Sequence, residues 1–153
     1  MIASELASQK QRLDVLFDKA REIHDVEVQS HWCRYLCVLV SGYLENSVRS
    51  AYSEFARCRA QPPVASYVAR QLGRFQNPSM EKILTVAGGF STELQTRLQV
   101  ATSGRLAESV NSIVGNRNNI AHGKSVSLTL HTLTQYYQGA FKVVQLIHDL
   151  CDE

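Results

Sequence analysis

Residues 27–58 read EVQSHWCRYLCVLVSGYLENSVRSAYSEFARC. Apolar side chains fall at Val28, Trp32, Tyr35, Leu36, Leu39, Val40, Tyr43, Leu44, Val48, Ala51, Tyr52 and Phe55. Steps of three and four residues place them on one stripe of a helix, because a turn takes about 3.6 residues. No proline interrupts the stretch. One amphipathic helix of this length needs partners with matching apolar stripes, and the chain on both sides supplies them.

Upstream, over residues 4–23, Leu6, Leu13, Leu16, Phe17, Ala20 and Ile23 form a second stripe, with Ser4 as its expected N-cap. Downstream, Pro62-Pro63 closes the long helix and opens the next, since proline suits a first turn but not an interior. Short helices are expected over about 64–75, 80–87 and 92–101. Asn77-Pro78 separates the first two, Gly88-Gly89 ends the second, and Thr92 with Gln95 reads as a capping box for the third. A further helix begins near Ser103 to Arg105 and stops at Gly123. The last, over 130–151, carries Leu130, Leu133, Tyr137, Ala140, Phe141, Val144, Ile147 and Cys151. Only Val126 to Leu130 alternates with period two, too short a run for a sheet. The expected fold is all-α, with core helices over about 4–23, 27–58, 104–122 and 130–151. A helical insert over about 59–101 lies between the second and third core helices, and residues 1–153 make one domain.

Composition agrees. A chain of 153 residues with 44% hydrophobic and 20% charged residues can bury a real core, which argues against disorder. The longest apolar run, Tyr35 to Val40, is far short of the roughly 18 residues that span a bilayer. The start, Met-Ile-Ala-Ser-Glu-Leu, lacks the apolar stretch of a secretory signal. Cytoplasmic placement and no membrane partner are therefore expected. Cys33, Cys37, Cys58 and Cys151 lack the paired spacings of a zinc site. Cys33 and Cys37 share one helical face and read as core thiols. Net charge is only +2, yet residues 49–124 hold ten Lys/Arg against four Asp/Glu. A basic centre leans toward a polyanionic partner.

Within that centre, residues 110–123 read Val-Asn-Ser-Ile-Val-Gly-Asn-Arg-Asn-Asn-Ile-Ala-His-Gly. An amphipathic helix carrying Val110, Ile113 and Val114 gathers Arg117, Asn118, Asn119 and His122 at its end. Arginine offers donors in a rigid fork matched to phosphate and stays charged. Histidine exchanges a proton near neutral pH. Asn118, four residues before His122, lies on the same face and is placed to orient the ring or to bind phosphate. Asn119 and Lys124 are edge candidates for phosphate binding. Glu45, mid-helix, is a candidate to pair with Arg117 or to help position His122, with Arg49 one turn on as its local ion-pair partner. His24, His31, His131 and His148 lack a matching arginine and read as surface or packing residues.

The block Gly-Asn-Arg-Asn-Asn-Ile-Ala-His-Gly resembles the signature of the HEPN superfamily, with Arg, a polar residue and then His near the end of the third core helix. The acidic residue in the long second helix, the helical insert and the Tyr136-Tyr137 pair resemble the RiboL-PSP-HEPN branch in particular. That resemblance implies metal-independent RNA cleavage by a homodimer whose two motifs face one another. It implies catalytic roles for Arg117 and His122, no cofactor, and RNA as partner, with an antitoxin or sensor protein as a further candidate. Some relatives are modified on a Tyr two residues after the His; Lys124 stands there in this chain. One imidazole cannot readily act as both base and acid in one step, whereas a two-fold dimer brings two. Attack by a ribose 2′-hydroxyl would leave a 2′,3′-cyclic phosphate. The alternatives are a HEPN-like module that binds RNA, a nucleotide or a protein without cutting, and a helical scaffold.

Overall fold

The computed structural model describes residues 2–153, and its elements are α-helices, with no strand among the described residues. They are α1 (Ile2–Arg21), α2 (Val26–Arg59), α3 (Pro62–Leu72), α4 (Met80–Phe90), α5 (Thr92–Thr102), α6 (Arg105–Ala121) and α7 (Leu130–Asp152). Helices α1, α2, α6 and α7 form the expected four-helix core, and α3, α4 and α5 make up the insert. α1 and α2 run antiparallel: Gln29 Nε2 donates to the Ala20 carbonyl at 3.0 Å near the turn, and Asn46 Nδ2 to Gln9 Oε1 at 3.4 Å at the far end. α2 is the shared wall, packing on α1, α3, α6 and α7.

The stripes read from the sequence meet in one cluster. Phe17 of α1, Leu36, Val40 and Leu44 of α2, Ile113 of α6, and Leu133 and Ile147 of α7 are buried together. Burying such a side chain contributes about 1.5–3 kcal/mol, so the cluster is the main driving force. Two contacts of Tyr137, one aromatic and one polar, fix the register of α7 on α1. Tyr137 stacks on Phe17 with ring centroids 4.6 Å apart, and its hydroxyl donates to Asp14 Oδ1 at 2.8 Å.

Three features of the element ends differ from expectation. α1 already runs from Ile2, so Ser4 lies inside it rather than capping it. α4 continues through Gly88 and Gly89 to Phe90; packing on α2, α5 and α6 outweighs the helix cost of glycine, about 1 kcal/mol per residue. The cap of α5 is Ser91, whose hydroxyl accepts from Leu94 N–H at 3.4 Å, one residue before the expected Thr92. Cys58 is exposed, whereas Cys33, Cys37 and Cys151 are buried. The alternation from Val126 to Leu130 marks the loop leading into α7, with Val126, Leu128 and the first helical residue Leu130 buried and Ser127 and Thr129 exposed. No helix among the described residues is long and apolar enough to cross a membrane.

Candidate functional site

The end of α6 is a Schellman motif. Lys124 N–H donates to the Asn119 carbonyl at 2.9 Å, and Gly123 N–H to the Ile120 carbonyl at 3.1 Å. Gly123 provides the left-handed residue the motif requires, with φ of 70°. His122 is the C-cap, and its N–H donates to the Asn118 carbonyl at 3.0 Å. The turn thus satisfies carbonyls that would otherwise compete for the imidazole. The His122 side chain is exposed and makes no hydrogen bond or ion pair among the described residues.

Arg117 lies one turn back and is half-buried. Its Nη1 is 3.4 Å from Asn118 Oδ1 and 3.5 Å from Asn77 Oδ1. Both partners are neutral amides slightly beyond the usual hydrogen-bond distance of about 2.7–3.2 Å, weak contacts that bias the direction of the guanidinium without neutralising it. No carboxylate pairs with Arg117 among the described residues. An uncompensated arginine on a helix that ends in an exposed imidazole is suited to an anion.

Glu45 pairs with neither Arg117 nor His122. Its Oε1 makes an ion pair with Arg49 Nη2 at 3.0 Å, the local partner expected one turn on. Its Oε2 accepts the Asn77 N–H at 3.2 Å. Arg49 also donates from Nε to the Phe75 carbonyl at 2.9 Å, and from Nη2 to the same oxygen. The acidic residue is therefore drawn to the loop between α3 and α4, and reaches Arg117 only through Asn77. Asn118 turns its side-chain oxygen toward Arg117 instead of toward the His122 ring. Asn119 and Lys124 are exposed, and they join the motif through their backbone groups alone. The structure thus makes two groups, Arg117 with Asn118 and Glu45 with Arg49, linked by Asn77, and leaves His122, Asn119 and Lys124 facing solvent.

Asn77 had one local sign in the sequence: Asn before Pro marks a turn, and Asn tolerates the left-handed region that it occupies here with φ of 53°. Nothing in its spacing connects it to residue 117. Asn111, also unflagged, accepts the Met80 N–H at 2.9 Å and ties the start of α4 to α6. No group of three or more His, Cys, Asp or Glu side chains converges among the described residues. The donors near the motif are cationic or amide, a set that fits an anion better than a divalent cation.

No curated protein and no solved structure matches the chain. The family model described as RiboL-PSP-HEPN matches residues 4–153, covering all four core helices, the insert and the Arg117–His122 block. By that match over nearly its whole length, the chain belongs to the RiboL-PSP-HEPN family of the HEPN superfamily.

Proposed function

We propose that the protein is an endoribonuclease of the toxin or defence kind that cuts RNA without a metal ion. Two copies would share one cleft, each presenting Arg117 and His122. The 2′-hydroxyl of a ribose attacks the adjacent phosphorus, and one imidazole takes its proton. The bond from phosphorus to the 5′-oxygen breaks, and the second, protonated imidazole supplies the proton to the leaving oxygen. The products are a 2′,3′-cyclic phosphate and a 5′-hydroxyl. The guanidinium groups stabilise the charge that builds on the phosphoryl oxygens. The observation that carries this reading is Arg117 held by amides alone at 3.4 Å and 3.5 Å, its charge unspent, on a helix that ends in an exposed imidazole.

A second reading, RNA binding without cleavage, has one observation in its favour. The His122 ring has no partner among the described residues to fix its tautomer, as a catalytic histidine usually has. One experiment separates the two. Purified protein is incubated with end-labelled single-stranded RNA in EDTA, beside the His122→Ala and Arg117→Ala variants and an all-DNA analogue. Cutting predicts cyclic-phosphate ends, intact DNA, and losses of roughly 10²–10⁴-fold for His122→Ala and 10²–10³-fold for Arg117→Ala with helical content retained. RNA retained on the wild type with no product at any enzyme concentration would leave binding as the function. Sedimentation of the same sample as a monomer at working concentration would remove the shared cleft.

A further inference from the structure

We propose that Asn77 is a positioning residue for Arg117, delivered to the site by the loop over residues 73–79; the inference rests on the phosphate-binding reading of Arg117. The loop is clamped from α2, from α4 and from within. Arg49 holds the Phe75 carbonyl, Lys82 Nζ donates to the Gln76 carbonyl at 3.2 Å, and Glu45 accepts the Asn77 N–H at 3.2 Å. The Asn77 carbonyl accepts the Ser79 N–H at 2.7 Å. Both backbone groups of Asn77 are thus committed, and its side chain is what remains to meet Arg117. A guanidinium only donates, so the amide must present Oδ1 to it.

The two amides at Arg117 differ in kind. Asn118 is the next residue of α6 and moves with it. Asn77 belongs to another part of the chain, anchored on α2, and is the hydrogen-bond partner that Arg117 has outside α6 among the described residues. It therefore biases where the guanidinium lies relative to the rest of the bundle. The ion pair Glu45–Arg49 acts at one remove: it holds the loop, and the loop holds the arginine. A helical insert with no chemistry of its own becomes part of the site. Arginine is a long side chain with many rotamers, so without a contact from outside its own helix no one placement relative to the bundle is favoured.

The test is Asn77→Gly, which removes the side chain and keeps the left-handed conformation accessible. Two readouts are taken on the full chain. The first is the NMR order parameter of the Arg117 Nε–Hε group, its signal assigned by its disappearance in Arg117→Lys. The second is the cleavage kinetics. Asn77→Gly is expected to lower the order parameter and to cut kcat roughly tenfold while KM changes less than about threefold, as misplacement of a catalytic group does. A merely structural role would lower the melting temperature and leave the Arg117 signal as it was. Asn77→Asp, which tolerates the same backbone, should raise the order of Arg117 by ion pairing and weaken binding of a 2′-deoxy RNA analogue roughly tenfold; it serves if the glycine variant does not fold. An Arg117 signal unchanged in the folded variants overturns the proposal. A wild type that never cuts RNA sinks the nuclease reading alone, since the NMR readout and the analogue still decide the role of Asn77.

Discussion

At the scale of single residues, the site depends on how α6 stops. Gly123 is the hinge of that stop: a Cβ there would meet open space, so only the backbone resists substitution. With φ of 70°, Gly123→Ala places an L-residue in the left-handed region, at a cost of about 1–2 kcal/mol. For a chain of 153 residues that lowers the melting temperature by about 2–8 °C. Gly123→Asn should lose clearly less, because Asn enters that region more readily. Thermal denaturation of the three proteins checks the order Gly, Asn, Ala; an alanine variant as stable as the parent would mean the Schellman turn is not what ends the helix. The same residues show what the sequence could reveal. Arg117, His122 and Gly123 are close in the chain, so their spacing alone places them on one helix end. Asn77 is forty positions from Arg117, and its role exists only because α2 and the insert fold over α6.

Elements were readable where one stripe dominates. α2 and α7 follow their apolar periods closely, because burial of one face decides both the type and the length of a helix. The ends were less readable, since caps and tertiary packing compete: α4 passes through two glycines and α5 takes Ser91 over Thr92. Gly139 is a third case. A glycine inside α7 looks like a weakness, yet α6 and α7 need it. A Cβ at Gly139 would lie 2.4 Å from Ser109 Oγ and 2.6 Å from Ser109 Cβ, and Ser109 is buried. The Ser109 side chain already fills the space a methyl group would need. Gly139→Ala should force the helices apart and destabilise the protein by about 1–3 kcal/mol, the usual cost of overpacking. Ser109→Gly should recover much of that loss in the double variant, because the clash is with that side chain. A double-mutant cycle by urea denaturation reads the coupling. Additive effects would show that the close approach is not the cause.

Over the whole molecule, several weak acids are buried in the same core. Burial pushes the Cys37 thiol up to about 12, with the neighbouring Cys33 adding to the effect, and pushes Cys151 up to about 11. Cys33, Tyr43, Tyr52 and Tyr137 are raised as well, burial being the largest cause in each. Cys37 donates its thiol hydrogen to the Ile113 carbonyl at 3.5 Å, at the contact of α2 with α6, so ionising it would both strand a charge and break that contact. The sign follows from proton counts. An unfolded thiol ionises near the ordinary 9.0, whereas the folded one holds its proton to a higher pH. Between those values the unfolded state binds fewer protons, and stability falls as pH rises. The contribution is whole below about pH 9 and disappears from there toward 11 and 12, at up to about 1.4 kcal/mol per pH unit for each buried thiol. Urea unfolding should therefore give a flat stability from pH 7 to 8.5 and a steep decline from 9 to 10.5. Cys37→Ala should start lower, having lost packing, and decline less steeply. A parent protein with equal stability at pH 8 and 10.5 would mean that these groups are hydrated in the folded state, and that the four-helix core is looser than its packing describes.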